Sequence, residues 1–128
     1  MDKAKEYSPL ALAFLGDAVY ELKIRDIAVK KGIRKVNDLH CAVVEKVRAS
    51  FQSKAILYIT EMLTEEENEI YHRGRNTGGV KAPKNADVVE YRRATGLEAL
   101  FGYLYIEGKN ERIDELISAI LSLDKVEG

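Results

Sequence analysis

Two isolated carboxylates stand out in this sequence because each lies in an otherwise apolar segment. Asp17 is the single charge between residues 9 and 20, and Glu98 is the single charge between residues 96 and 102. A charge among apolar side chains is costly unless a partner or a ligand compensates it. We therefore predict that the two acids, although 81 positions apart (98 − 17), form the two halves of one site.

A glycine accompanies each acid, with Gly16 directly before Asp17 and Gly102 one turn after Glu98. Glycine inside a helix costs roughly 1 kcal/mol relative to alanine, so it is retained where a bulkier residue would block a neighbouring backbone or a ligand. Each glycine taken alone is equally compatible with a simple helix crossing that has no chemistry. Together they predict close helix contact at the acids.

Paired carboxylates from separate helices of a bundle commonly bind a divalent cation. With oxygen ligands alone the ion is a hard one, which predicts Mg²⁺, with Mn²⁺ as a substitute. For Asp17 alone, a buried pairing with an arginine is the competing interpretation. Glu21 lies one turn after Asp17, where it either joins the site or is a solvated or lysine-paired residue.

A basic, glycine-rich segment runs from Arg73 to Asn85 and contains four cations and no acid. Charged side chains and exposed backbone N–H groups suit a phosphate chain. A solvated loop without a ligand is the alternative. Position favours binding, because the segment leads through Arg92 into the helix that carries Glu98.

Composition predicts that helices position these residues. The chain is 46% hydrophobic and 32% charged, has two prolines and has a net charge of −1, so any basic surface is local. The single cysteine, Cys41, excludes an internal disulfide and is expected to be a small buried residue. No signal peptide or bilayer-spanning run is recognisable, and we expect one cytoplasmic domain covering residues 1–128.

Capping signals and periodicity predict an all-α bundle of about six helices. The first helix begins at Ser8-Pro9 and ends before Gly32, the second is capped by Asn37, and a break near Ser50 precedes a third through Met62. Thr64 to Glu67 form a capping box for the fourth, the fifth runs from about Ala86 to about Glu107, and the sixth spans Ile113 to Leu121 and covers the core.

The acidic segments resemble the two motifs of the ribonuclease III catalytic domain. Residues 14–21, Phe-Leu-Gly-Asp-Ala-Val-Tyr-Glu, are similar to its signature, and residues 95–105, Thr-Gly-Leu-Glu-Ala-Leu-Phe-Gly-Tyr-Leu-Tyr, are similar to its second acidic motif. With residues 73–76, 83–85 and 91–92, the pattern resembles the compact bacterial branch of that family, the Mini-ribonucleases III. The resemblance spans nearly the whole chain.

This resemblance implies an all-α, ribonuclease III-like fold and a homodimer that cleaves double-stranded RNA with Mg²⁺, leaving 5′-phosphate and 3′-hydroxyl ends. In that branch the typical substrate is precursor 23S ribosomal RNA. Asp17 and Glu98 match the family's catalytic and metal-binding acids, and the apolar face around residues 10–19 is expected to contribute to the two-fold interface. The residues expected to bind RNA are Arg73, Arg75, Asn76, Lys81, Lys84, Asn85, Tyr91 and Arg92.

The chain departs from the wider family at two acidic positions. Ala13 stands where the family has a glutamate, and Thr95 stands where it has an aspartate. Fewer charged ligands predict weaker Mg²⁺ binding. No counterpart of the family's double-stranded RNA-binding domain occurs in these 128 residues, so affinity is expected to come from the catalytic domain and the dimer and to fall with salt.

Two other functions are compatible with the same residues. One is a non-catalytic RNA-binding module of the same fold whose remaining acids no longer cleave. The other is an all-α nucleotide pyrophosphatase, suggested by the acidic run from Glu65 to Glu69. That run is better explained by the preference of acids for a helix N-terminus, and no second carboxylate motif accompanies it.

Overall fold

The computed structural model describes residues 3–77 and 82–127, and within these ranges the chain is helical without a β-strand. The α-helices are α1 (Pro9–Lys30), α2 (Val36–Val47), α3 (Ala49–Ile59), α4 (Glu65–Asn76), α5 (Val88–Ile106), α6 (Asn110–Leu121) and α7 (Leu123–Glu127), with 3₁₀ turns at Lys3–Glu6 and Thr60–Met62. The predicted all-α bundle is confirmed. Among the described helices, none has the length and apolar composition that crossing a bilayer requires.

Three of the predicted helix ends are correct. The Ser8 side chain caps α1 by accepting a hydrogen bond from the Ala11 N–H at 3.1 Å, with Pro9 at the first helical position. Gly32 follows the end of α1 with φ +88, in the left-handed region that favours glycine. Thr64 and Glu67 form the predicted capping box at the start of α4.

Other expectations of the sequence analysis are wrong in detail. Helix α2 begins at Val36, one residue before Asn37, without a side-chain cap. The break before α3 falls at Arg48, whose extended backbone has ψ 150, rather than near Ser50. Cys41 is exposed instead of buried, because α2 contributes only Val43 to the buried core.

The fifth helix is shorter than expected at its N-terminus. It begins at Val88 instead of about Ala86, because the Asp87 carboxylate caps it by accepting from the Glu90 N–H at 3.0 Å. Helix α5 is the centre of the bundle and contacts α1, α3, α4 and α6. Its middle is buried on several sides, which explains why its apolar residues do not form one amphipathic stripe.

The backbones of α1 and α5 cross so closely that only glycine fits at the crossing. A methyl group added at Gly16 would lie 1.6 Å from the carbonyl oxygen of Glu98, and one added at Gly102 would lie 2.0 Å from that of Leu12. Gly16 contacts Glu98, whereas Leu12, one turn earlier on α1, contacts Gly102, one turn later on α5. The two helices therefore run antiparallel. The predicted close contact at Gly16 and Gly102 is confirmed.

Helix α6 covers the core as predicted, and its charged face also joins it to α4. Ile113, Leu116, Ile117 and Ile120 are buried. The Arg112 guanidinium donates from Nε and Nη2 to the two carboxylate oxygens of Glu67, each at 2.8 Å. Glu67 is buried, and burial raises its pKa, but hydrogen bonds from Arg112 and Thr64 outweigh this and lower it. One carboxylate thus caps α4 and fixes α6.

Candidate active site

The α1–α5 crossing brings Asp17 and Glu98 into one open cleft. Because Gly16 touches the Glu98 carbonyl, the next residue of α1 lies beside the turn of α5 that carries the Glu98 side chain. The cleft is lined by Leu10, Ala13, Phe14, Asp17, Tyr91, Thr95 and Glu98. Residues from two helices and from both acidic motifs therefore meet on one surface.

The two acids differ in burial, and one expectation about them is wrong. Glu98 is half-buried, whereas Asp17 is exposed and is not enclosed by the apolar residues around it in sequence. The physical reason is that α1 has two apolar faces. One packs in the core, and the other is open to solvent, with Phe14 85% exposed at the rim of the cleft.

The carboxyl groups of Glu98 and Asp17 are close enough to influence each other. Burial, then the Asp17 charge and a hydrogen bond to Asp17, together raise the pKa of Glu98 to about 8, while the Gln52 amide opposes the shift. Without a cation, Glu98 therefore keeps its proton near neutral pH. Burial, and then the Glu98 charge, also raise the pKa of Tyr20, so its hydroxyl stays neutral and donates to the Lys46 carbonyl at 2.6 Å.

The two positions that depart from the family's acidic pattern face the same cleft. Ala13 and Thr95 both line it. Ala13 offers no polar group, and the Thr95 hydroxyl donates to the Tyr91 carbonyl of its own helix at 3.0 Å. Within the described residues, no three His, Cys, Asp or Glu side chains come together as a metal-binding group. Asp17 and Glu98 are the carboxylates that the cleft offers.

This donor set fits a hard divalent cation. Two carboxylates supply oxygen ligands and negative charge, and the open cleft leaves room for the waters that Mg²⁺ usually retains. After burial, the Asp17 charge is the second cause of the raised pKa of Glu98, and a cation between the two groups would relieve this repulsion.

A second, basic depression lies where the end of α4 meets the first turns of α5. It is lined by Arg75, Asn76, Val89, Arg92 and Arg93. The Arg75 Nε donates to the Asn76 side-chain oxygen at 3.1 Å, which orients the guanidinium. Three arginines around one depression form a site suited to a phosphate oxygen.

The other residues expected to bind RNA do not lie on one surface. Tyr91 lines the acidic cleft and not the basic depression. Lys84 and Asn85 are exposed in the turn before α5, where Asn85 has φ 72. Arg73 is half-buried in α4. None of these three residues lines the acidic cleft or the basic depression. Lys81 lies outside the described residues.

Glu21 does not join the acidic cleft. Its carboxylate accepts from the Arg25 guanidinium at 2.8 Å and 2.9 Å, an ion pair one turn apart on α1. The paired interpretation of Glu21 is thus correct, although its partner is an arginine and not a lysine. Gln52 is the residue at this site that the sequence analysis missed; nothing in its local pattern separates it from an ordinary surface glutamine.

Comparisons with known proteins identify the family of this chain. The family model described as "Ribonuclease III domain" matches residues 10–109. The protein named "Mini-ribonuclease 3" of Streptococcus pneumoniae is 47% identical over 121 residues, covering 93% of each chain. Its counterpart in Symbiobacterium thermophilum is 45% identical over 111 residues, covering 87% of this chain and 85% of that one.

A solved structure shows the same fold. A crystal structure of a protein from Fusobacterium nucleatum superposes with a TM-score of 0.85 at 36% identity, covering 97% of this chain and 99% of that one. The chain belongs to the ribonuclease III family, and within it to the branch of the Mini-ribonucleases III. It is accordingly an endoribonuclease that acts on the phosphodiester bonds of double-stranded RNA.

The raised pKa of Glu98 predicts a specific pH dependence of stability in metal-free protein. The folded state keeps the Glu98 proton up to a pH of about 8, whereas an unfolded glutamate loses it near 4.5. The folded state therefore binds more protons in this window, and the free energy of unfolding falls as the pH rises through it. Urea denaturation at about pH 5 and about pH 8 measures the slope. Glu98→Gln should flatten it; an unchanged slope in that variant contradicts the assignment.

Proposed function

We propose that this chain cleaves double-stranded RNA with Mg²⁺ held by Asp17 and Glu98, and that it matures precursor 23S ribosomal RNA, leaving 5′-phosphate and 3′-hydroxyl ends. The observation that carries the proposal is the meeting of Asp17 and Glu98 in one open cleft at the α1–α5 crossing. The ribosomal substrate is proposed from the resemblance to the Mini-ribonuclease III branch. Mn²⁺ is the expected substitute ion.

The acids of the cleft would hold the divalent cation, which attracts the reacting phosphate, through their negative charge and their position. A cation in the cleft would lower the pKa of Glu98, so that its proton would pass to solvent and both carboxylates would offer oxygen ligands. A divalent cation held by Asp17 and Glu98 would activate water and stabilise the charge that develops on the attacked phosphate. Because Ala13 and Thr95 supply no carboxylate, water and RNA phosphate oxygens complete the ligand set. Weak cation affinity in the absence of RNA follows from this.

The basic depression holds the RNA backbone next to the acidic cleft. Arg92 lines the depression, and its neighbour Tyr91 lines the cleft, so adjacent residues of α5 connect the two surfaces. Contacts of arginine with phosphate fix the register of a duplex and carry no sequence information. Recognition of double-stranded RNA is then mainly by shape, since its major groove is too narrow for side chains.

A second copy of this chain is the proposed partner across the exposed face of α1. Ala11, Phe14, Ala18 and Leu22 are all exposed and lie three or four residues apart, which places them on one stripe of the helix. Phe14 is 85% exposed and Leu22 is 65% exposed. Exposed large apolar groups in one stripe indicate an interaction surface. The stripe borders the acidic cleft, so a homodimer formed through it would complete the wall of each site.

Replacing Asp17 with asparagine tests the catalytic assignment. Asp17→Asn keeps the size of an exposed side chain and removes one ligand charge, so cleavage of long double-stranded RNA with Mg²⁺ should fall by about 10²-fold or more while binding persists. Asp26→Asn is the control, since Asp26 lies on the same helix and is paired with Lys30. Cleavage at the wild-type rate by Asp17→Asn would falsify the site. Binding without cleavage by the wild type would identify a non-catalytic RNA-binding module, and hydrolysis of a nucleoside triphosphate would identify a pyrophosphatase.

Arg92→Ala tests the basic depression. Loss of one phosphate contact should weaken binding of double-stranded RNA uniformly across sequences and reduce the slope of log affinity against log salt by about 1. Binding is measured by fluorescence anisotropy in Ca²⁺ at several salt concentrations. Lys125→Ala removes an exposed cation from α7, which lines neither surface, and serves as the control. Equal salt slopes in the wild type and Arg92→Ala contradict the phosphate assignment.

Phe14→Glu tests the dimer. A charge on the exposed stripe should produce monomers with an intact helical spectrum, because Phe14 contributes little to the core of one chain. Sedimentation velocity reports the assembly state. Leu57→Glu is the control, since Leu57 is 54% exposed on α3 and lies away from the stripe. A dimeric Phe14→Glu, or a monomeric wild type, shows that the interface is elsewhere or absent.

A further inference from the structure

Gln52 is a buried amide with an unmade hydrogen bond. It lies on α3, which packs against α5, and it is 2% exposed. Its Nε2 is inaccessible to solvent and has no hydrogen-bond partner among the described residues. Burying an N–H donor without an acceptor is destabilising, whereas an apolar side chain of the same shape carries no such penalty. A role outside simple packing is therefore needed to explain why an amide occupies this position.

The carboxyl group of Glu98 is the neighbour that explains why residue 52 is an amide. The Gln52 side chain reaches far enough towards this group to lower its pKa, against the effects of burial and of Asp17. No completed hydrogen bond joins the two groups, since Nε2 has no partner among the described residues. The amide thus faces the carboxyl from inside the core, whereas Asp17 faces it from the exposed side of the cleft.

The identity of the unpartnered atom decides what Gln52 does. An amide N–H is a donor and is repelled by a cation, so Nε2 is satisfied by an acceptor and not by a metal ion. The acceptor within reach is a carboxylate oxygen of Glu98, which gains acceptor strength when Glu98 is ionised. A hydrogen bond to one oxygen leaves the other oxygen directed towards Asp17.

We propose that Gln52 is a positioning residue that donates a hydrogen bond from Nε2 to the Glu98 carboxylate and holds it in the orientation that binds the divalent cation. The inference rests on the proposed function, since it needs the cation site formed by Asp17 and Glu98. Groups behind a metal ligand fix its direction and commonly affect metal affinity by one or two orders of magnitude. In a cleft with only two carboxylates, each must be well oriented.

The first experiment measures Mn²⁺ binding to RNA-free protein by isothermal titration calorimetry. Gln52→Met keeps the length of the side chain and removes the donor, so Mn²⁺ affinity should fall about tenfold or more while thermal stability is kept or raised. Tyr71→Phe is the matched control, because the Tyr71 hydroxyl is also buried and unpartnered among the described residues but does not line the acidic cleft. It should bind Mn²⁺ as the wild type does.

The outcomes separate this inference from the proposed function. Wild-type affinity in Gln52→Met, with binding intact in the wild type, overturns the positioning role and leaves the cation site standing. An equal loss in Tyr71→Phe also overturns it, since any buried polar group would then have the effect. No Mn²⁺ binding by the wild type, either alone or with double-stranded RNA present, overturns the cation site and the inference together.

A second measurement uses the wild-type protein and therefore does not depend on whether a variant folds. Gln52 is the only glutamine in the sequence, so selective ¹⁵N-glutamine labelling gives one pair of side-chain amide signals in an NMR spectrum. Addition of Mg²⁺ to the wild type should shift these signals downfield as the Nε2 hydrogen bond forms. Signals that stay unchanged at saturating Mg²⁺ overturn the proposal.

Discussion

The contact between the backbones of α1 and α5 is the constraint on which the rest of this molecule depends. At Gly16 there is no room for even a methyl group beside the carbonyl of Glu98, and the same is true of Gly102 beside Leu12. Two such contacts, four residues apart on each helix, fix both the separation and the register of the helices. This register places Asp17, the residue after Gly16, beside Glu98, and the two acids therefore meet in one cleft.

Features with a local signal could be predicted from the sequence. The caps at Ser8 and Thr64 follow from residue types within one helical turn, and the glycine contacts follow from lone glycines inside helical patterns. Features that depend on distant residues could not be predicted. Arg112 and Glu67 are 45 positions apart, and Gln52 is a residue type that is usually exposed. The exposure of Asp17 could not be predicted for a related reason, since its apolar neighbours in sequence surround it only in part.

The small number of acids changes how the cleft responds to its surroundings. A cleft with four carboxylates keeps most of its negative charge when one of them is protonated, whereas here one proton on Glu98 removes about half of the formal charge. The pKa of about 8 therefore makes protons and cations direct competitors at neutral pH. Ala13 and Thr95 leave the cleft without a carboxylate in reserve, and the hydroxyl of Thr95 is already engaged with its own helix.

The enclosure of α5 also has a consequence for local unfolding. Glycine contacts restrict this helix on two sides, at Gly16 on α1 and at Gly74 on α4, where an added methyl would lie 2.8 Å from the Ala99 side chain. The backbone of Glu98 lies at the first of these contacts and one residue from Ala99 at the second, so both neighbouring helices restrict it. The backbone that carries Glu98 thus belongs to the same packed unit as the core. Heat or denaturant should then abolish the arrangement of the acids and the global fold in a single transition.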